Sequence, residues 1–201
     1  MKSKAVLGGT FNPFHKGHLH LAYAAIDALA LDSVIFIPSG KPPHKTNEDI
    51  LDGKIRYEII KTVIKNDNRL MVSDFELING GYSFTYKTME HFKASEPDTS
   101  WFFLLGADCL LEINTWRNVG RIMNSCTLAV FMRKGFDKES ILYEKKVLEE
   151  KYNKEIILIE AELPDISSTT IRSLIRNDED TSMYLPKEAN NFIIENNLYR
   201  D

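Results

Sequence analysis

Two stretches of the 201-residue chain combine residue types that can hold phosphate. The first runs Gly8-Gly9-Thr10-Phe11-Asn12-Pro13-Phe14-His15-Lys16-Gly17-His18. Gly8 and Gly9 carry no side chain, so backbone there can approach a nucleotide. A helix beginning near His18 would aim free N–H groups and a partial positive charge at an anion. Two imidazoles three residues apart share one helix face, so His15 and His18 can both donate to phosphate oxygens and, when charged, offset developing charge. Gly17 between them leaves room for a base or a ribose. A His-x-x-His pair is also part of a metal site, but no third ligand is evident in sequence and catalytic zinc takes three, so no metal ligands are assigned. Neither G-x-G-x-x-G nor G-x-x-x-x-G-K-[ST] occurs, which disfavours a dehydrogenase or a Walker-type NTPase.

The second stretch is Ile166-Ser167-Ser168-Thr169-Thr170-Ile171-Arg172. Four consecutive hydroxyl residues can cap a helix and cradle phosphate, while an arginine one turn in clamps two oxygens. Taken alone, the stretch reads first as an ordinary Ser/Thr cap followed by an exposed arginine. Set beside the first stretch on one sheet edge, it becomes the other half of a triphosphate site. The expectation is therefore that segments more than 140 residues apart meet.

The elements that must bring them together follow from hydrophobic pattern. Short apolar runs at Ala5–Leu7, Val34–Ile37, Leu70–Val72, Trp101–Leu105, Leu128–Phe131 and Ile156–Ile159 have the length and composition of buried strands. Helical spacing fills Leu19–Leu29, Ile55–Ile64, Phe84–Phe92 and Lys138–Tyr152 between them, and Thr169–Arg176 and Pro186–Asn196 after them. Strands alternating with helix-length crossovers predict an α/β class: one doubly wound, Rossmann-like domain over 1–201, with a mostly parallel sheet of about five to six strands and helices on both faces. The segment Pro38–Asp52, with three prolines, is the most loop-like stretch.

Composition narrows the function. Apolar residues make up 43% and charged residues 27%, enough for a core. A net charge of −4 and a pI near 5.8 provide no basic field for a nucleic-acid backbone. No apolar run approaches the ~20 residues that span a bilayer, and Cys109 and Cys126 form no Cys-x-x-Cys pair. The expectation is a cytoplasmic protein without membrane or nucleic-acid partners.

Together the two stretches resemble the nucleotidylyltransferase superfamily, in which H-x-G-H and [IV]-S-S-T-x-[IV]-R signatures jointly bind ATP. Pro42-Pro43-His44-Lys45, Ser83-Phe84-Thr85 followed by Thr88, Leu105-Gly106-Ala107-Asp108, Thr115-Trp116 and the tail Asn197-Leu198-Tyr199 extend the likeness. They are spaced as in the bacterial nicotinate-mononucleotide adenylyltransferases of NAD synthesis. This resemblance covers essentially the whole chain. It implies adenylyl transfer from ATP to nicotinate mononucleotide, with Mg²⁺ carried in on ATP, catalytic roles for His15, His18 and Arg172, and His18 at the α-phosphate. By the same resemblance Gly8, Gly9, Thr10, Phe11, Gly106, Asp108, Ile166, Ser167 and Ser168 join them around ATP, Asp108 at a ribose. Asn12, Lys45, Ser83, Phe84, Thr85 and Trp116 would hold the mononucleotide, with Trp116 stacked on the pyridine and a neighbouring backbone N–H receiving its carboxylate. Three positions depart from the common pattern: Asn12 and Lys87 stand where many relatives have Asp, and Phe84 where they have Tyr. Alternatives are a preference for nicotinamide mononucleotide, transfer to phosphopantetheine, which the Ser83–Thr85 and Thr115-Trp116 segments oppose, and a weakly catalytic nucleotide sensor. A homo-oligomer is compatible with all of them.

Overall fold

A computed structural model describes residues 2–40, 50–80, 82–132, 137–161 and 164–200. All six apolar runs form strands: β1 (Ser3–Gly9), β2 (Ser33–Pro38), β3 (Leu70–Val72), β4 (Ser100–Gly106), β5 (Thr127–Met132) and β6 (Ile156–Glu160). They make one sheet in the order β3-β2-β1-β4-β5-β6, turning around at the β1–β4 pair. The pairings β1–β4, β4–β5 and β5–β6 are parallel, with Val6 opposite Phe103 and Phe103 opposite Leu128. Every residue of β2 is buried. A strand covered on both faces needs apolar side chains at successive positions, which is why these segments are continuous rather than alternating.

The helices are α1 (Lys16–Leu29), α2 (Gly53–Ile64), α3 (Phe75–Ile78), α4 (Thr85–Ser95), α5 (Ala107–Leu111), α6 (Val119–Ser125), α7 (Lys138–Tyr152), α8 (Ser168–Arg176) and α9 (Lys187–Glu195). Side-chain oxygens start three of them: Asp52 accepts from Lys54 N–H, Asp137 from Glu139 N–H and Ser167 from Thr170 N–H. The first helix begins at Lys16, earlier than expected, which places Gly17 and His18 in its first turn. The pattern did not reveal α3, α5, α6 or the 3-10 turn Ile113–Thr115, because three to seven residues are too few to display a 3.6-residue period.

Residues gather into two compact units, one of 1–8, 24–35 and 84–162, the other of 9–23, 36–83 and 163–201. In the first, α4 packs on α6 and α5 on α7 around Leu104, Leu110, Ile122 and the run Leu128–Phe131. In the second, α2 packs on α9, and the rings of Phe14 and Phe36 meet at 4.9 Å. Residues 41–49, including Lys41, Pro42, Pro43, His44 and Lys45, lie outside the described residues. No helix among the described residues is long and apolar enough to cross a membrane.

Candidate active site

The two phosphate-type stretches meet inside the second unit. Ser168 Oγ donates to the carbonyl of Pro13 at 3.0 Å, and Arg172 Nη1 donates to the carbonyl of Asn12 at 2.8 Å. The Ile166 side chain lies 3.8 Å from where a Cβ on Gly17 would stand. The exit of β1 is thus bonded to the start of α8. Ser167 is the cap of α8, and its Oγ accepts from Thr170 N–H at 3.1 Å. The ordinary cap and the juxtaposition with the first stretch are both present. Arg172 spends Nη1 on the protein, while its buried Nε has no partner among the described residues. Nε and Nη2 form the side edge of a guanidinium, the fork that matches two oxygens of one anion.

Just before and within the first turn of α1, the imidazoles of His15 and His18 stack, with centroids 3.7 Å apart and planes 24° apart. His15, only 6% exposed, donates its peptide N–H to His18 Nδ1 at 3.2 Å. A peptide N–H can only donate, so Nδ1 is the acceptor nitrogen and the ring proton of His18 sits on Nε2. In this arrangement Nε2 is the nitrogen through which His18 can donate. Phe11 and Phe14 hold the same ring, edge-on at 4.8 Å and stacked at 5.3 Å.

The space beside Gly17 differs from the expectation. A Cβ on Gly17 would stand 3.0 Å from the His15 imidazole, so the space beside Gly17 is taken by that ring rather than left for a base or ribose. A Cβ on Gly9 would stand 2.9 Å from the ring of Phe11, and at Gly8 it would only touch Phe103 at 3.8 Å. Close approach at the end of β1 therefore serves Phe11, which folds back in the left-handed region at φ 50. Few non-glycine residues adopt that conformation, and where they do the surrounding structure holds them.

Sequence reasoning missed Arg56 and passed over the chemistry of Tyr199. Arg56, 1% exposed on α2, donates to three carbonyls: Nε to Leu51 at 2.8 Å, Nη1 to Thr10 at 2.6 Å and Nη2 to Ser39 at 2.7 Å. One guanidinium ties together the exits of β1 and β2 and the approach to α2. Burial lowers its pKa, opposed by Tyr199 and Asp52 nearby. Asn12, 4% exposed, has a side-chain oxygen that accepts from Leu51 N–H at 3.2 Å and from the Tyr199 hydroxyl at 3.0 Å. These bonds to Asn12 are internal to the protein. Ser83 Oγ accepts from Gly40 N–H at 3.0 Å.

The first unit carries the other expected residues. Asp108 is exposed in the first turn of α5, and its carboxylate folds over Gly106, where any Cβ would collide with Asp108 Oδ1. Trp116 is half-buried, edge-on to Phe103 at 6.1 Å. The N–H groups of Thr115 and Trp116 donate to Glu112 and Ile113 at 2.9 Å each, so these two are not free to receive a carboxylate. Thr85 opens α4 just after half-buried Phe84, whose ring has Lys87 Nζ at 5.9 Å and Arg117 Cζ at 5.2 Å. Among the described residues no three His, Cys, Asp or Glu side chains group as metal ligands would.

The cytidylyltransferase-like family model matches residues 6–174. The chain is 48% identical over 200 residues to a Clostridium novyi (strain NT) protein named probable nicotinate-nucleotide adenylyltransferase, with all of both chains covered. A protein of the same name from Clostridium tetani (strain Massachusetts / E88) is 46% identical, again with all of both covered. Among solved structures, Plasmodium falciparum nicotinic acid mononucleotide adenylyltransferase complexed with NaAD superposes with a TM-score of 0.77 at 18% identity, over 99% of this chain and 98% of that one. The same Plasmodium enzyme complexed with APC gives 0.74 at 17% over the same shares. With a family model across most of its length and relatives this similar from end to end, the chain belongs to the cytidylyltransferase-like family.

Proposed function

We propose that the chain is one nucleotidyltransferase domain that transfers the adenylyl group of ATP to nicotinate mononucleotide, releasing pyrophosphate, as a cytoplasmic step of NAD synthesis. The observation that carries this reading is the bonding of Ser168 and Arg172 to the Asn12 and Pro13 carbonyls. It fixes the arginine beside the loop that leads into the stacked histidines, within one unit. The names of the Clostridium relatives support the choice of reaction and substrate.

In the proposed reaction an oxygen of the mononucleotide 5′-phosphate bonds to the α-phosphorus of ATP while the bond from that phosphorus to the bridging oxygen of the β-phosphate breaks. The nucleophile is already an anion, so no general base is required, and positioning and charge stabilisation supply the rate. His18 Nε2–H donates to an α-phosphate oxygen, its direction set by the bond from His15 N–H. Arg172 offers its Nε/Nη2 edge to the β and γ oxygens, which would satisfy the buried Nε. Ser167, Ser168 and the start of α8 lie around the same end. Mg²⁺ enters as part of the substrate Mg-ATP and keeps several of its waters. The side-chain oxygen of Asn12 already accepts two protein donors, so this position is not a dedicated metal ligand. On the acceptor side, Trp116 stacks on the pyridine, Ser83, Phe84, Thr85 and Lys45 are assigned to the same substrate, and Asp108 accepts from ribose hydroxyls.

The test is a substrate panel at fixed Mg-ATP: nicotinate mononucleotide, nicotinamide mononucleotide and phosphopantetheine, followed by pyrophosphate release and dinucleotide formation. Nicotinate mononucleotide should have the highest kcat/KM. Binding of ATP without product from any acceptor would replace this reading with a nucleotide sensor.

A further inference from the structure

We propose that Tyr199 is a positioning residue for the triphosphate end of the site, acting through Asn12 on the guanidinium of Arg172. This rests on reading Arg172 as an ATP contact. Tyr199 follows α9, where Leu198 N–H closes back on the carbonyl of Ile193 at 3.0 Å. Its backbone lies in the left-handed region at φ 64, a conformation that a bulky aromatic residue holds only when its surroundings impose it. The ring is 8% exposed and its hydroxyl donates to Asn12 Oδ1 at 3.0 Å. Burial pushes the hydroxyl pKa well up against the opposing fields of Arg56 and Arg172, so the group keeps its donor proton.

The consequence runs through one residue. The side-chain oxygen of Asn12 is held from two directions, by Tyr199 and by Leu51 N–H, while its main-chain oxygen receives Arg172 Nη1 at 2.8 Å. Fixing the side chain fixes the peptide, and fixing the peptide fixes which edge of the guanidinium remains for an anion. A tyrosine kept only for packing would need its ring and not its hydroxyl. A hydroxyl buried against this amide does more than fill space, because it is one of the two donors that hold Asn12 Oδ1 in place.

Tyr199→Phe removes the hydroxyl and keeps the ring. Wild type, Tyr199→Phe, Asn12→Ala and the double variant are titrated with Mg-ATP by calorimetry, melted, and assayed for KM of both substrates. Tyr199→Phe should weaken ATP about five-fold, the size of one buried hydrogen bond, with the mononucleotide KM within about two-fold. The double variant should be no weaker than Asn12→Ala alone, the mark of two groups acting as one unit. An ATP affinity unchanged in Tyr199→Phe, with or without a lower melting temperature, overturns the proposal, as does multiplication of the two single effects. Wild-type protein that binds ATP but forms no dinucleotide would sink the proposed reaction while the titration still decides on Tyr199.

Discussion

Around His18, polar atoms are bonded to protein in several directions: its own Nδ1 to a peptide N–H, Ser168 and Arg172 to the β1 exit, Arg56 to three carbonyls and Asn12 to Tyr199. Around Trp116 and Phe84 the contacts are of another kind: Trp116 meets Phe103 edge-on, and exposed Lys87 and Arg117 lie over the ring of Phe84. On the proposed reading the first set serves a strongly charged ligand, and preorganised donors act on developing charge without reorganising. The second suits a flat ring with one small substituent, where area and weak fields decide. Perturbing His18 or Arg56 in the first set should therefore cost decades of turnover or several degrees of melting temperature, and perturbing the second set should cost tens of fold or less.

His18→Ala tests the sharpest end of that contrast. Losing a fixed donor to the α-phosphate should lower turnover by about 10²–10³, with the circular dichroism spectrum unchanged. Near-normal turnover in the folded variant would remove His18 from its assigned role. Arg56→Met tests whether the scaffold beneath is as tightly strung as it looks. Three half-buried carbonyls lose their donor, at about 1 kcal/mol or more each, and a protein of this size should then melt about 10 °C lower. Arg56→Lys should fall between the two, because an ammonium lacks the planar three-way reach. A melting temperature within about 2 °C of wild type for Arg56→Met would show that water replaces the guanidinium freely.

The contrast also explains what the sequence disclosed. Strands were legible because both-face burial forces continuous runs such as Leu128–Phe131, and the meeting of the two phosphate-type stretches because each follows a strand of the same sheet. The occupant of the space beside Gly17 was not legible, since a glycine announces a close approach without naming what approaches. Arg56 left a faint signal, a charge on the stripe of α2 that also carries Ile59, Ile60 and Ile64. On a buried stripe such a residue must have partners of its own. Tyr199 left none, because its bond to Asn12 links positions 187 residues apart.

On the acceptor side, Trp116→Ala removes the stacking surface. Base-type stacking on an aromatic ring contributes about 1–3 kcal/mol, so the mononucleotide KM should rise roughly ten-fold or more while the ATP KM stays put. Equal rises in both would indicate that the ring supports the unit as a whole.

Lys87→Gln should have the smallest effect and is the finest probe of the comparison. Lys87 is exposed on the first turn of α4, and with exposed Arg117 it flanks the ring of Phe84. Its charge therefore acts through water, where a single exposed pair contributes about 0.2–1 kcal/mol. A carboxylate-bearing pyridine senses that field and an amide-bearing one does not, so the variant should lower the nicotinate-over-nicotinamide preference by less than about five-fold. Raising the salt to 1 M shortens the screening length to about 3 Å and should erase even that difference. A loss of decades in preference, insensitive to salt, would mean that Lys87 contacts the carboxylate directly and that the acceptor side is as rigidly built as the triphosphate side.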